Sequence, residues 1–356
     1  MQTETYRNQT ELHADRLPSV SILMPVRNEE AYIARSLGAV LAQEYPAELM
    51  EVIVSDGMSK DGTRDIVGQI QQKHPNVRLI DNPGLIAPKA LNLGTAVAKG
   101  EILIRVDGHC EICPDYVINC VRHLLESGVD GVGGSVQTVG ETEAAEAVAV
   151  AMSSVFGVGN SAFRTTTGRD VLADTIPFPA YTREIVDRAG PYDEEMVRDQ
   201  DDEYNYRIRE LGGRLLLASN VRSRYYSRAN LPSLWRQYFG YGFWKSRVLW
   251  KHPRQMSARQ FVPALLVLSL SLAALLSPFS RSARRSLAAI AVTYTCANGS
   301  ASLRAASASD WRHLPRLPLA FGALHFSYGL GFLIGNGLMI SRRTKTLMCN
   351  KEDGFK

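Results

Sequence analysis

Short strand-like runs alternate with amphipathic stretches from Pro18 to about Gly213 of the 356-residue chain. The runs are rich in apolar residues, and two of them end on an aspartate. The segment 31–43 carries apolar residues at three- and four-residue steps, which predicts a helix. The predicted strands are VSILMPV (20–26), MEVIVSD (50–56), VRLI (77–80) and EILIRVD (101–107). This alternation predicts an α/β domain built on a parallel sheet.

Polar side chains follow the carboxyl ends of these strands, where parallel sheets bind their ligands. The residues expected on this rim are Arg27, Asn28, Glu29, Asp56, Asp107 and His109. Asp107 and His109 stand two residues apart, so on an extended segment they would project to the same side. A carboxylate and an imidazole together suit a divalent cation. The pair alone leaves a second interpretation open, in which Asp107 caps a turn and His109 is an ordinary loop histidine.

Charge is distributed unevenly along the chain. The totals of 40 basic and 36 acidic residues give a net charge of only +4, which argues against a general nucleic-acid binder. All acidic residues except Asp310, Glu352 and Asp353 precede residue 211, whereas the segment Arg214–Arg259 is basic and the remainder is largely apolar. This asymmetry predicts an enzyme-like soluble part, a basic collar and a membrane-facing end.

Residues 1–17 form a polar tail without an apolar core, so we expect no signal peptide and a cytoplasmic soluble part. The five cysteines are an odd number, which is poor material for a disulfide framework. Cys110 and Cys113 form a C-x-x-C pair that is redox-active, half of a zinc site, or a pair of reduced thiols. No second pair completes a zinc site, which favours reduced thiols.

Five segments in order resemble the inverting family 2 glycosyltransferases of the GT-A fold. They are SILMPVRNEEAYI, IVSDGMSKDGT, KALNLG, RVDGH and RDQDDEYNYRI, spread over residues 19–210. The likeness is greatest to the ExoA type of exopolysaccharide (succinoglycan) enzymes, which also carry D-x-H in place of D-x-D. The resemblance implies a GT-A, Rossmann-like nucleotide-binding domain over residues 18–233, followed by C-terminal transmembrane helices.

The same resemblance implies where a nucleotide sugar binds. Pro25, Arg27 and Glu29 correspond to the element that borders the uracil and ribose. Asp56 corresponds to the acid that accepts from the edge of the base, and Lys89 to a basic residue beside the diphosphate.

Asp107 and His109 take the place of the D-x-D pair, with Asp107 also on the nucleotide sugar. The pair would hold a divalent cation, Mn²⁺ or Mg²⁺, that bridges the two phosphates and neutralises charge on the leaving nucleotide diphosphate.

The segment 197–213 supplies the acids from which a general base is expected. In the resemblance Gln200 occupies the position of a glutamate and Asp201 that of the aspartate, so Asp201 is assigned as the base that deprotonates the acceptor hydroxyl. Asp199 or Asp202 is expected to compensate for the charge that Gln200 lacks. The alternative is that these acids only favour the first turn of a helix through its dipole.

The sequence gives weaker indications of the residues that contact the acceptor. Phe178, Tyr181 and Tyr192 either wall a sugar or pack in the core. Segment 234–260 is basic and aromatic, which predicts an interfacial segment lying on a bilayer, with Gln237 and Lys245 as weaker candidates for acceptor or diphosphate contacts. Its RQYFGYG stretch lacks the R-W of processive relatives, so we expect one sugar per acceptor.

Residues 261–341 are predicted to form a membrane region with two or three hydrophobic helices, followed by a basic tail over 342–356. The candidate segments are 261–279, 286–303 and 317–340. Basic residues flank each of them, so the positive-inside rule does not fix the number of crossings. His325 is predicted to be a packed or interfacial residue rather than a proton relay.

Together these features predict a membrane-anchored inverting glycosyltransferase of the inner or plasma membrane with a cytoplasmic catalytic domain. Its donor is expected to be a UDP-hexose and its acceptor a lipid-linked sugar in exopolysaccharide or cell-surface glycan synthesis. Two alternatives stay open: transfer onto a polyprenyl phosphate, and a non-catalytic nucleotide-binding membrane scaffold. A nucleotidyltransferase is disfavoured because MPVRNEE lacks a glycine-rich basic loop.

Overall fold

The computed structural model describes residues 17–159, 161–165, 168–227 and 230–353, with side chains up to residue 341 except that of Thr165. Of the predicted polar tail, only Leu17 is among the described residues, and the side chains of the predicted basic tail lie outside them. The described residues form one nine-stranded sheet. Its strands are β1 Val20–Val26, β2 Met50–Asp56, β3 Val77–Asp81, β4 Ile102–Arg105, β5 Cys110–Ile112, β6 Gly131–Val139, β7 Val171–Leu172, β8 Ala180–Thr182 and β9 Leu215–Tyr226.

The sheet has a parallel half and a mixed half. Its order is β3-β2-β1-β4-β8-β6-β9-β5, with β7 on β9. Strands β1 to β4 are parallel, which confirms the predicted α/β class, and β1 and β2 have the predicted bounds. The fourth strand ends at Arg105, two residues earlier than predicted. β8 pairs antiparallel with both β4 and β6, so the sheet continues beyond the parallel half.

Helices cover both faces of the sheet, which explains why its parallel strands are apolar throughout. On β1, Ile22 and Met24 belong to one core cluster, whereas Leu23 belongs to another with Leu91 and Ile208. The helices are α1 Ile33–Leu41, α2 Thr63–Lys73, α3 Ala87–Val97, α4 Tyr116–Ser127, α5 Glu143–Met152, α6 Val155–Val158, α7 Ala162–Thr165, α8 Arg183–Ala189, α9 Gln200–Glu210, α10 Leu231–Lys251, α11 Ala258–Leu276, α12 Arg281–Ala308 and α13 Leu317–Asp353.

Helix α10 packs directly against α13 at glycines. A Cβ on Gly242 would stand 2.0 Å from the carbonyl oxygen of Tyr328, and one on Gly331 would stand 2.1 Å from that of Phe239. No side chain fits in such spaces, so the two helix backbones are in contact. This packing joins the C-terminal helices to the sheet domain.

The predicted interfacial segment, 234–260, is therefore largely a packed helix, and three of its basic side chains have carboxylate partners within the protein. Lys245 pairs with Asp202, and Arg247 with Glu195. Lys251 lies 2.9 Å from a carboxylate oxygen of Asp193. The prediction that most of this segment lies on a bilayer is revised, because acids of segment 193–202 neutralise these three cations.

Two helices in the described part of the chain are long and apolar enough to cross a bilayer, judged by length and composition. They are Ala258–Leu276, with mean hydropathy 1.8, and the Leu317–Ser341 part of α13, with mean hydropathy 1.5. Helix α12, the weakest of the three predicted segments, does not qualify. Helix α11 exposes apolar side chains such as Leu265 and Leu275, which are 57% and 69% exposed. That exposure is unlike a core helix of a soluble domain.

His325 on α13 is a packed residue, as predicted. One ring nitrogen, Nε2, lies 2.7 Å from the carbonyl oxygen of Phe156, and Nδ1 lies 3.1 Å from the hydroxyl of Tyr294. Both nitrogens therefore have partners that hold α13 against α6 and α12.

Candidate active site

Asp107 and His109 lie in a tight turn between β4 and β5. The backbone N–H of Cys110 donates to the carbonyl oxygen of Asp107 at 3.1 Å, which closes the turn. The extended alternation used to pair them was wrong, because the strand ends before them. The turn nevertheless brings both side chains to one cavity. A larger residue at position 108 would crowd the turn, since a Cβ on Gly108 would stand 3.0 Å from side-chain atoms of Val26 and Glu29.

Glu29 lies beside His109, at the turn between β4 and β5. Its Oε1 is 2.9 Å from Nδ1 of His109, and each side chain is 20% exposed. Histidines that bind metals commonly donate one ring N–H to a carboxylate, which fixes the tautomer and presents the other nitrogen. The structure pairs Glu29 with His109, and its predicted placement against uracil or ribose stays a prediction.

Arg105 joins the two halves of the site. Its guanidinium is 8% exposed, donates from Nε to Asp107 Oδ1 at 2.8 Å, and pairs through Nη1 with Asp201. Burial disfavours the charge, but Asp107 together with Tyr192 and Tyr181 outweighs this and raises the pKa of Arg105. Sequence reasoning missed this residue. The available signal was a charged residue inside the apolar run LIRVD.

Two neighbouring aspartates at the start of α9 pair with different basic residues. Asp201 pairs with Arg105, and Asp202 pairs with Lys245, whose side chain is 6% exposed. Burial opposes ionisation of Asp202, but Lys245 together with Thr175 and Arg259 outweighs it and lowers the pKa of this carboxyl. Gln200 is buried. Asp201 therefore lies between the Asp107 side of the cavity and the Lys245 side.

Asp199 precedes α9 in a strained backbone conformation. Its φ is +58°, which is uncommon for a residue other than glycine. Its Oδ2 is buried and has no hydrogen-bond partner in the described part of the chain. Burial raises the pKa of Asp199 to about 7, and Lys245 limits the rise. The Asp199 carboxyl therefore keeps its proton to a higher pH than an ordinary aspartate does, and it lies beside the ion pair of Lys245 and Asp202.

Substituting Asp199 by asparagine is expected to stabilise the protein at pH 8 but not at pH 4. The carboxyl ionises near pH 3.8 in the unfolded chain and near 7 in the folded one. The folded state thus binds more protons between these values, and the free energy of unfolding contributed by this group falls as pH rises through that window. Denaturant unfolding of the two proteins across pH 4–8 measures the difference. The control Asp65→Asn, on the exposed side of α2, should show no such gain.

The other residues predicted to bind the nucleotide lie farther from the cavity. Asp56 is fully buried, where it accepts from Ser59 N–H at 3.0 Å and from Arg64 at 2.7 Å. Lys89 lies 3.1 Å from Glu194. Pro25 is half-buried in β1.

The cavity brings only part of the predicted set together. The predicted residues on its wall are Arg27, Asp107, His109, Asp201, Gln237 and Lys245, whereas Pro25, Glu29, Asp56 and Lys89 do not line it. The wall residues come from β1, the β4–β5 turn, α9 and α10, so the cavity unites the strand rim with the C-terminal helices.

Gln237 is 3% exposed and acts as a double donor. Its Nε2 donates to the hydroxyls of Tyr225 and Tyr241, each at 3.0 Å. These bonds occupy acceptor sites of both hydroxyls and leave each O–H as a donor. Gln237 thus orients two tyrosines of the cavity wall. The ring of Tyr225 also contacts the ring of His109 edge-on, with 5.3 Å between the two ring centroids.

The aromatics proposed as a sugar wall pack in the core. Tyr181 donates its hydroxyl to Asn205 Oδ1 at 2.7 Å, and Tyr192 stacks on Tyr204 at 3.9 Å between ring centroids. Phe178 is buried as well. None of the three lines the cavity, so the packing alternative holds.

The C-x-x-C pair belongs to the fold as well. Burial raises the pKa of the Cys110 thiol, which makes it unreactive. Cys113 is a half-buried free thiol. Among the described residues no group of three or more histidine, cysteine and carboxylate side chains converges as a zinc site would require.

The cavity has a volume of about 1370 Å³ and two contrasting ends. Its polar end is lined by the strand rim and the start of α9. Its largely apolar end lies among α11, α12 and α13 and is lined by Val262, Leu266, Ile290 and Leu324, with Thr293, Tyr294 and His325 between them. One continuous space therefore connects the carboxylate–histidine pair with the helices that are long enough to cross a membrane.

Comparison with known proteins agrees with this architecture. Residues 21–189 match the model of Glycosyl transferase family 2. The succinoglycan biosynthesis protein ExoA of Rhizobium meliloti (strain 1021) is 32% identical over 277 residues, which cover 75% of this chain and 81% of that protein. The chain belongs to glycosyltransferase family 2. The resemblance in the five sequence segments is thereby confirmed, and the chain's activity is that of a glycosyltransferase.

Other relatives of this family 2 chain point the same way. A dolichyl N-acetyl-alpha-D-glucosaminyl phosphate 3-beta-D-2,3-diacetamido-2,3-dideoxy-beta-D-glucuronosyltransferase of Methanococcus voltae is 28% identical over 240 residues, 65% of this chain and 74% of that protein. The mannosyltransferase PcManGT from Pyrobaculum calidifontis, solved with GDP-Man and Mn²⁺, has a TM-score of 0.57 and 20% identity, covering 91% of this chain and 88% of that one. This last likeness shows the GT-A fold.

Proposed function

We propose that the protein transfers a hexose from a UDP-sugar to a lipid-linked sugar with inversion at the anomeric carbon. The reaction would take place at the cytoplasmic face of the inner or plasma membrane, in exopolysaccharide or cell-surface glycan synthesis. The observation that carries the proposal is the continuous cavity that joins the polar rim to the apolar helices α11 to α13. A nucleotide-sugar site alone would not need the apolar end.

The residues at the polar end fit a divalent cation. Asp107 offers a carboxylate, and His109 is backed by the Glu29 carboxylate at 2.9 Å. Two protein ligands suffice for Mn²⁺ or Mg²⁺ when diphosphate oxygens and water complete the shell. A bound cation would supply charge neutralisation to the departing UDP. PcManGT, solved with Mn²⁺, supports this assignment.

Asp201 is proposed as the general base. It accepts the proton of the acceptor hydroxyl while that oxygen bonds to the anomeric carbon and the bond from this carbon to the phosphate oxygen breaks. Arg105 holds the Asp201 carboxylate in place and connects it to Asp107. The acceptor would approach from the Lys245 side, where the cavity continues towards α11.

Helix α11 and the apolar part of α13 support membrane anchoring. A lipid-linked acceptor lies in the bilayer, so an enzyme whose cavity opens among membrane-spanning helices meets it there. The name of the Methanococcus voltae relative, which specifies a dolichyl N-acetyl-alpha-D-glucosaminyl phosphate acceptor, supports an acceptor of this kind. Short runs of arginine near these helices would face the cytoplasmic leaflet.

A transfer assay tests the proposal. Membranes containing the protein are incubated with a panel of labelled nucleotide sugars, and the label is followed into the organic-extractable lipid fraction. We expect label from a UDP-hexose in that fraction, dependent on Mn²⁺ or Mg²⁺. Label that appears only in water-soluble products would overturn the lipid-linked acceptor.

Glu29 provides a sharper test of the cation site. Replacing Glu29 by alanine removes the partner of His109 Nδ1, so we expect Mn²⁺ affinity to fall about 10- to 100-fold. A Mn²⁺ titration followed by electron paramagnetic resonance measures this in the presence of UDP. Glu30→Ala, an exposed neighbour, is the matched control. Equal Mn²⁺ affinity in Glu29→Ala and the control would exclude the supporting role.

A further inference from the structure

The cations on the cavity wall fall into two groups. In the first, each has a carboxylate partner: Arg105 with Asp107 and Asp201, and Lys245 with Asp202. Arg209 lies 3.4 Å from Asp174. In the second group, no carboxylate lies within ion-pair distance in the described part of the chain. Its members are Arg27, Arg164, Arg198 and Arg259.

Two of these uncompensated arginines lie at the donor end. Arg27 follows β1 and donates to the carbonyl oxygen of Leu85 at 3.4 Å. Arg164 donates to Thr138 at 2.8 Å, and its guanidinium lies 5.8 Å from the ring centroid of Tyr225, which contacts His109. A donor diphosphate bound near His109 would account for these two charges.

The other two lie beyond the catalytic acids. Arg259 is in the first turn of α11, with its side-chain stem against Gly159, and its charge helps to lower the pKa of Asp202. Arg198 packs its Cδ and guanidinium atoms on Gly240, and its guanidinium lies 5.9 Å from the ring centroid of Tyr241. The donor end therefore does not explain these charges.

Beyond Arg259 the cavity wall becomes more apolar, although Thr293 and Tyr294 also line it. The next turns of α11 contribute Val262, Pro263 and Leu266 to the wall, opposite Ile290 of α12 and Leu324 of α13. The volume of about 1370 Å³ exceeds the range of roughly 300–1000 Å³ that serves one small ligand. A positive group followed by an apolar channel matches an amphipath with an anionic head and a hydrocarbon tail.

We propose that Arg198 and Arg259 form a second anion site that binds the phosphate of the lipid-linked acceptor, with its hydrocarbon chain between α11 and α12. The inference rests on the proposed function and extends it, because it assigns the acceptor's lipid part as a phosphate ester. The arrangement holds the lipid phosphate on the Asp202 side of Asp201 and the donor diphosphate on the Asp107 side. The acceptor sugar would then lie beside Asp201.

Binding of farnesyl diphosphate tests the site directly. The full-length protein in detergent is first saturated with UDP and Mn²⁺ to fill the donor end, and farnesyl diphosphate is then titrated by calorimetry. We expect Arg198→Gln and Arg259→Gln each to weaken this binding about tenfold or more, because each removes a charge-assisted contact. Arg254→Gln, on an exposed residue that does not line the cavity, should bind as wild type.

Two further titrations separate the contribution of the phosphate groups to binding from that of the hydrocarbon chain. Farnesol, which lacks the phosphates, should bind the variants and the wild type equally, and inorganic pyrophosphate should bind more weakly than farnesyl diphosphate. Unchanged farnesyl diphosphate affinity in both arginine variants would overturn the proposal. So would an equal loss of UDP–Mn²⁺ affinity, since the arginines would then serve the donor.

The lipid-label assay keeps this inference distinct from the proposed function. If wild type binds farnesyl diphosphate through the two arginines yet transfers no sugar to lipid, the proposed function fails and the anion site stands. If sugar transfer is normal and the arginine variants keep the acceptor KM of wild type, the anion site fails alone. Retained UDP–Mn²⁺ binding in each variant shows that the protein is folded.

Discussion

Replacing Asp201 by asparagine is expected to lower kcat for sugar transfer about 10³-fold, within the range of 10²- to 10⁴-fold for a general base. Asparagine keeps the size of the side chain and can still contact Arg105, but it cannot accept the proton of the acceptor hydroxyl. Binding of UDP and Mn²⁺ should be nearly unchanged, because Asp107 and His109 remain. Kinetics with a labelled UDP-hexose and a lipid-linked acceptor measure the loss.

Asp174→Asn is the matched control for this substitution. Asp174 lines the same cavity but its side chain is 79% exposed and its partner is Arg209. Its variant should retain a rate close to wild type. A near-normal rate in Asp201→Asn would exclude Asp201 as base and favour a polyprenyl phosphate acceptor, which is already anionic. Binding of UDP without any turnover in wild type would instead favour a membrane scaffold.

Replacing both Asp107 and His109 by alanine is expected to lower the rate about 10³-fold, since cation stabilisation of a leaving diphosphate contributes several kcal/mol. The loss should appear in kcat, and excess Mn²⁺ should not restore it. Single variants should retain part of the activity and require more Mn²⁺. Initial rates over a range of Mn²⁺ concentrations measure both effects.

Glu111→Gln provides the control for the double variant. Glu111 is on β5, two residues after His109, and accepts from the hydroxyl of Tyr226 at 2.6 Å, away from the cavity. The Glu111→Gln variant should leave the Mn²⁺ dependence of the rate unchanged. A double variant that turns over at the wild-type rate after treatment with chelator would contradict a cation at this pair.

The parallel half of the sheet was predictable because its signals are local. Strands β1 and β2 are apolar runs that end where a polar residue begins, and each carries its own boundary in the sequence. The mixed half was not predicted in detail, because its pairing joins residues far apart in the chain. Strand β8, for example, pairs with β4, so that Ala180 lies opposite Ile104.

The sequence predicted which residues lie on the rim better than it predicted the contacts that these residues make. Asp107 and His109 do meet at one cavity, but the conformation that brings them there is a turn whose geometry the residue spacing does not specify. Asp56 ends its strand as expected, yet Arg64, from the following helix, covers it. The sequence places Arg105 in a strand, and only its ion pair with Asp201 at the start of α9 shows that it joins Asp107 to Asp201.

Helix α10 shows why composition misleads about environment. Basic and aromatic residues at this density are typical of helices that lie on anionic bilayers. The same residues also suit a helix that packs against an acidic segment of its own chain. Lys245 and Arg247 find Asp202 and Glu195 more than 40 residues earlier, and no periodicity within α10 indicates those partners.

Mn²⁺ binding in the presence and absence of UDP tests the cation site most directly. Electron paramagnetic resonance of the full-length protein should show Mn²⁺ that becomes immobilised with UDP in wild type and remains free in the Asp107→Ala/His109→Ala variant. Identical immobilisation of Mn²⁺ by UDP in wild type and in the double variant would contradict the assignment of Asp107 and His109.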